Sequence, residues 1–222
     1  MKRFIALVLS AIVLCGSFEV KGLSLSASAA VIMDGISGKV LYEVGGNKRL
    51  SMASTTKIMT ALLLCEQGDL SKSISVTEEM IRVEGTSMGL TVGQKVTYRD
   101  LLYGMLLSSG NDAANAVAVA VGGSAENFVA MMNGKAQELG LINTHFDTPS
   151  GLDGDTHYTT AYELALLTKE ALKNEDFSAA VSSSEITLNY GGMKHTLINH
   201  NRLLKEFDGA VGVKTGFTKK SG

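Results

Sequence analysis

The sequence predicts an α+β fold: an antiparallel sheet built from strands near the two ends of the chain, with a cluster of helices between them. Three observations predict it. Strand-like apolar runs begin at about residue 30, helical patterns, broken by two looped stretches, recur from about residue 53 to residue 173, and strand patterning returns at Glu185. At 222 residues, 45% hydrophobic and with 24 glycines, the chain suffices for one substantial core, or a core with a small annex.

Taken in order, "AAVIMDGISGKVLYEV" holds two apolar runs around Asp34–Gly38 and predicts a β-hairpin. "ASTTKIMTALLLCEQGDL" places Ile58, Ala61, Leu62 and Cys65 at helical spacing with Gly68 as a stop, so Ser54 falls near a helix N-terminus. Residues from about 70 to 96 read as loops and small strands. Thr97 and Asp100 stand in capping-box order before the next helix. The alanine-rich "NDAANAVAVAV" forms another, ending at Gly122-Gly123, and Ser124 caps a third through about Leu139 with Phe128, Met131, Met132 and Leu139 inward. "DTPSGLDGDTHY" holds the only proline and predicts a long surface loop of the kind that often carries function. Thr160 and Glu163 form a second capping box, "EITLNYGGMKHTLIN" predicts two strands around Gly191-Gly192, and "GAVGVKTGF" a last strand.

Charge and composition exclude several classes. With 20 basic and 22 acidic residues and no run of like charge, nothing marks nucleic acid as a partner. The four histidines show no metal spacing, so no metal and no cofactor is expected. Lys2 and Arg3 precede an apolar run from Phe4 to about Leu14, too short for the about 20 apolar residues of a membrane helix and laid out like a secretory signal. Residues 1–29 are therefore read as a signal peptide, with cleavage somewhere between Gly16 and Ala30. Ala27-Ser28-Ala29 is either the small-residue cleavage site or the start of the first strand. Export to the extracytoplasmic face follows. Once the signal is gone Cys65 is the only cysteine; set among Leu62, Leu63 and Leu64, it reads as a small buried apolar residue.

Three short motifs carry chemistry, once each and in order: Ser54-Thr55-Thr56-Lys57, Ser109-Gly110-Asn111 and Lys214-Thr215-Gly216. Residues three apart on a helix share a face, which sets Lys57 about one turn, roughly 5 Å, from Ser54. A serine hydroxyl needs a base within hydrogen-bond reach, and an amine serves only when neutral. Burial, together with a second cation such as Lys214, favours the neutral amine. Each motif also has a plain reading. Ser54 can cap its helix while Lys57 reaches water, Ser109 and Asn111 can form a turn and cap the next helix, and Lys214 can be a solvated strand end.

The ordered set of three resembles the serine D-alanyl-D-alanine carboxypeptidases, the low-molecular-mass penicillin-binding proteins, from about Ala30 to Gly222, and "GLDGDTHYTTAYELA" is similar to a stretch such enzymes carry. The resemblance implies a β-lactamase/transpeptidase-like fold for a catalytic domain over residues 30–222. It implies acyl transfer through Ser54, with Lys57 as general base, Ser109 relaying a proton and Asn111 holding Lys57 and the substrate amide. Lys214, Thr215 and Gly216 would receive the substrate carboxylate, and the backbone N–H groups of Ser54 and Phe217 would form an oxyanion hole. The implied partners are peptidoglycan stem peptides ending in D-Ala-D-Ala and β-lactam antibiotics, in the cell envelope. In the family further strands, a terminal helix, and often a second domain and a membrane anchor follow KTG. The catalytic domain is accordingly read as C-terminally truncated, with an incomplete sheet. Two other readings stand beside this one. A class A β-lactamase is disfavoured because the loop before Glu163 offers only Asp153 and Asp155; a non-catalytic scaffold is suggested by where the chain stops. His200, in "NHNRLL", lies where relatives place a basic group near the substrate carboxylate and could assist Lys214, but it is read as a histidine satisfied in a turn.

Overall fold

The computed structural model describes residues 25–152 and 154–221. Most of the predicted signal segment lies outside the described residues; Ala27-Ser28-Ala29 precede the first strand, which starts at Ala30. The architecture is α+β, as expected. Strands β1 (Ala30–Met33) and β2 (Val40–Val44) form the predicted hairpin, β3 (Ser73–Ser75) pairs with β4 (Lys95–Thr97), and β5 (Glu185–Tyr190) pairs with β6 (Met193–Ile198), all antiparallel. The helices are α1 (Lys57–Cys65), α2 (Glu78–Ile81), α3 (Tyr98–Leu106), α4 (Asn111–Gly122), α5 (Ala125–Glu138), α6 (Ala161–Ala171), α7 (Glu175–Ser182) and α8 (Leu203–Glu206).

Helix α1 is the axis of the molecule. Every residue from Lys57 to Cys65 is buried, because α1 packs against α3, α4, α5, α6 and α7 at once. A helix surrounded on all sides has no polar face to spare, which is why Ile58, Met59, Leu62, Leu63 and Leu64 run almost without interruption. Burying each such side chain contributes about 1.5–3 kcal/mol. Lys57 is the one charged side chain in this helix and is itself fully buried.

Caps fix where the neighbouring helices begin. Thr97 and Asp100 make both halves of the predicted capping box, and the Ser124 side chain accepts from the Asn127 N–H. Thr160 accepts from the Glu163 N–H, but the second half of that box is absent. The buried Glu163 carboxylate instead accepts from the Asn143 N–H (2.9 Å) and the Thr144 hydroxyl (2.6 Å). Phe128 and Met132 point inward as predicted, whereas Met131 is 37% exposed, one residue off the buried stripe of α5. The stretch read as loops and small strands also contains the short α2, whose first turn holds Glu78 and Glu79.

The predicted last strand is not formed. A strand exists only through a partner that completes its ladder, and no described segment pairs with residues 210–217. Among the described residues the sheets are three separate two-stranded pairs, so the sheet expected from both ends is represented by its N-terminal hairpin. The stretch read as a surface loop is also drawn inward. Phe146, Ser150 and His157 are buried, and the loop's ends are clamped by reciprocal backbone bonds between His145 and Tyr158 and between Leu50 and Thr159. The second clamp ties the loop to the chain just ahead of Ser54.

Candidate active site

Ser54 lies in a 3-10 turn, Ala53–Thr56, that runs directly into α1. The first turn of α1 then brings Lys57 Nζ to 3.0 Å from Ser54 Oγ. Two other groups hold the amine: Asn111 Oδ1 at 2.7 Å and the Ser150 carbonyl at 2.6 Å. The Asn111 amide is oriented unambiguously, since its Nδ2 donates to the Glu84 carbonyl (2.6 Å), leaving only the oxygen to face Lys57. Both Asn111 Oδ1 and the Ser150 carbonyl can only accept. A neutral amine has two N–H groups for these two acceptors and one lone pair left, and that lone pair faces the Ser54 hydroxyl.

The electrostatics match this arrangement. Burial, and after it the positive charge of Lys214, bring the Lys57 ammonium down to about 7, against a smaller opposing pull from Asp112. Near neutrality a large share of Lys57 is thus the free amine. Lys214 is itself brought down to about 8 by burial, and its Nζ donates to the Thr215 carbonyl at 2.8 Å.

Ser109 and Asn111 sit where α3 gives way to α4. Ser109 adopts φ +58°, the left-handed region that a non-glycine residue enters at a cost of about 1–3 kcal/mol. Residues 84–90 hold it there. Thr86 Oγ1 donates to the Ser109 carbonyl, and the Asn111 N–H donates to the Thr86 carbonyl at 2.7 Å. Asp112 anchors the same loop: its buried carboxylate accepts from the Ser87 hydroxyl (2.6 Å) and from the N–H groups of Met88 (2.9 Å), Gly89 (3.1 Å) and Leu90 (3.0 Å). Ser109 is buried beside the cleft, but none of the three groups holding Lys57 is its hydroxyl.

One cleft gathers these parts. Ser54, Ser109, Asn111, Thr215, Gly216 and Phe217 line it, together with Gly85, Thr86, Ser150, Gly151, Leu152, His200 and Thr218. Lys57 and Lys214 are not on its wall but adjoin it. Gly216 lies against the Ser54 turn, so close that a Cβ there would come within 3.2 Å of Met52 O, Ser54 N and Thr55 N. Gly151, at φ +88°, is tighter still: a Cβ would fall 1.9 Å from the Ala53 carbonyl oxygen. Neither the Ser54 N–H nor the Phe217 N–H donates to a described residue.

The structure therefore brings the eight predicted residues to one place, six on the wall and two lysines adjoining it. Sequence reasoning missed the Ser150 carbonyl and the 84–90 loop with its Asp112 anchor; a backbone carbonyl leaves no mark in the sequence at all. His200, read from the sequence as satisfied in a turn, lines the cleft, and burial and Lys214 hold its imidazole below its ordinary pKa. Among the described residues no three His, Cys, Asp or Glu side chains converge as metal ligands would, and no helix is long and apolar enough to cross a membrane.

Comparison with known proteins agrees with the cleft. The sequence profile of the D-alanyl-D-alanine carboxypeptidase family matches residues 17–222. The chain is 41% identical over 198 residues to D-alanyl-D-alanine carboxypeptidase DacF of Bacillus subtilis, covering 86% of this chain and 51% of that protein. It is 35% identical over 211 residues to a D-alanyl-D-alanine carboxypeptidase of Streptomyces sp. strain K15, covering 87% of this chain and 72% of that one. The chain thus spans about half the length of DacF. Among solved structures, the Streptomyces K15 DD-transpeptidase superposes with a TM-score of 0.84 at 33% identity, over 89% of this chain and 82% of that one. A D-alanyl-D-alanine carboxypeptidase from Mycobacterium tuberculosis gives 0.84 at 34% identity, over 87% and 74%. By fold, by motif and by extent of match, this chain belongs to the D-alanyl-D-alanine carboxypeptidase family.

Proposed function

We propose that the chain is the catalytic domain, residues 30–222, of an exported serine carboxypeptidase that removes the terminal D-alanine from peptidoglycan stem peptides ending in D-Ala-D-Ala. Residues 1–29 serve as its signal peptide, and the cell wall is its site of action. The observation that carries this reading is the hold of Asn111 and Ser150 on a buried Lys57 whose Nζ lies 3.0 Å from Ser54 Oγ.

The Ser54 hydroxyl attacks the carbonyl of the penultimate D-alanine, and Lys57 takes its proton. The developing oxyanion is met by the backbone N–H groups of Ser54 and Phe217, which need no reorientation to receive it. The substrate carboxylate is held by the Thr215 hydroxyl and the charge of Lys214, with Gly216 allowing close approach. Ser109 relays the proton from Lys57 to the departing D-alanine amine, Asn111 steadies Lys57 and the substrate amide, and water then hydrolyses the acyl-enzyme. A β-lactam enters the same path and remains on Ser54, its deacylation being slow as in the enzymes this chain resembles. The β-lactamase alternative loses support from Glu163, the first glutamate after the loop, whose carboxylate is spent on Asn143 and Thr144.

Incubation with a labelled penicillin, followed by peptide mass mapping, tests the proposal. The label is expected on Ser54 and lost altogether in Ser54→Ala, with D-alanine released from a diacetyl-tripeptide. Rapid turnover of the penicillin would instead identify a β-lactamase, and stable labelling without D-alanine release a scaffold that only binds.

A further inference from the structure

His157 belongs to none of the three motifs, yet it is buried and touches the Ala53–Thr56 turn from a loop 101 positions away in sequence. Its two ring nitrogens have separate, fixed partners. Nδ1 lies 2.9 Å from the Asp147 N–H, which can only donate, so Nδ1 accepts and the ring proton sits on Nε2. Nε2–H then donates to Thr56 Oγ1 at 2.7 Å, and the Thr56 hydroxyl donates onward to the Ala53 carbonyl at 2.8 Å. Thr56 is fully buried and Ala53 nearly so, which leaves no water to take over any of these bonds.

The Ala53 carbonyl is one end of the peptide plane whose other end is the Ser54 N–H. In a planar trans peptide the C=O and N–H point in opposite directions. Holding the carbonyl inward, under Thr56 and against Gly151, therefore turns the Ser54 N–H outward to the cleft, where Gly216 lies beside it. Ala53 itself sits at φ +46°, a conformation an alanine adopts only when surroundings impose it.

We infer that His157 is a positioning residue for acyl transfer: acting through the Thr56 hydroxyl and the Ala53 carbonyl, it aims the Ser54 backbone N–H at the oxyanion. The inference rests on the acyl-transfer reading above and adds to it a residue of the 147–157 loop. Ring shape alone would also be satisfied by phenylalanine, because Phe146 meets the imidazole edge-on at 6.0 Å; only the nitrogens distinguish the two roles.

The test measures acylation of the whole chain by a fluorescent penicillin, and kcat and KM on a small depsipeptide ester, well below the melting temperature and per folded molecule by circular dichroism. Removing an oxyanion donor outright costs about 10²–10³ in rate, so misaiming one through its neighbours is expected to cost about tenfold or more. His157→Phe and Thr56→Val should show that loss in kcat, with KM nearly unchanged and the acid limb of the pH profile, set by Lys57, in its wild-type position. His157→Gln, whose amide can accept from Asp147 and donate to Thr56, and Thr56→Ser should recover to within about threefold. If His157→Phe does not fold, Thr56→Val against Thr56→Ser decides, since the hydroxyl is the group at issue. Wild-type chain unlabelled at Ser54 would remove the acyl-transfer reading and the positioning role together. Labelling of the wild type with Thr56→Val equally fast would overturn the positioning role alone, as would a loss that appears only in melting temperature.

Discussion

The turn at Ala53–Lys57 and the segment Lys214–Thr218 face the same cleft, and they are secured by different means. The first is buried and cross-tied: Thr55 and Thr56 bond back to Met52 and Ala53, Lys57 reaches Asn111 and Ser150, and Thr60 Oγ1 donates to the Pro149 carbonyl at 2.6 Å. The second has no ladder partner among the described residues and leaves Thr215, Gly216 and Phe217 exposed. In the proposed reaction the base must be held closely against Ser54, which buried polar ties favour, and the substrate carboxylate needs charge and an open approach, which an exposed segment favours.

Substitutions on the two sides should separate these demands. The largest effect is expected at Lys57→Ala, where loss of the base slows penicillin acylation by about 10²–10⁴, read by stopped labelling. Gly151→Ala comes next: its Cβ would collide with the Ala53 carbonyl, and a denaturant midpoint should report a loss of about 3 kcal/mol or more, whereas Gly216→Ala, meeting atoms at 3.2 Å, should keep the fold and lose acylation. Asp112→Asn removes one acceptor from the group that ties residues 87–90 and should cost about 1–3 kcal/mol by the same measurement.

Smaller in size but sharper in meaning is the pH profile. Lys57 must lose its proton to act, and its amine titrates at about 7, so acylation should rise with pH through that value and then level off. Lys214 helps to hold that value down, while Asp112 pulls the other way. Lys214→Ala should therefore shift the rise to higher pH, and an unmoved acid limb would show that the two lysines do not share a field. Phe217→Ala, on an exposed side chain, should change stability by no more than about 0.5 kcal/mol.

Much of this was legible in the sequence, and the boundary has physical causes. Ser54 and Lys57 were readable because helical spacing alone places them together. The Thr97–Asp100 box and the Ser124 cap were readable because a cap is a local bond, complete within four residues. Glu163 has the same local signature and a different fate, since the Asn143 N–H and the Thr144 hydroxyl arrive from a distant part of the chain and take its carboxylate. The 210–217 strand failed for the corresponding reason: alternation states a preference, and only a neighbour satisfies it. The Ser150 carbonyl and the His157 relay lie beyond any pattern, because they join residues 93 and 101 positions apart through atoms that every residue has or through a ring whose tautomer is set by its surroundings.

Asp112 has one more effect, on selectivity. Its carboxylate gathers residues 87–90 while its backbone starts α4, so this side of the cleft and the Asn111 end of that helix shift as one piece or not at all. If the chain binds β-lactams as proposed, substitutions at Phe217 and Thr218, which line the cleft outside that piece, would alter the fit of a penicillin side chain and leave the contact between Asn111 and Lys57 in place.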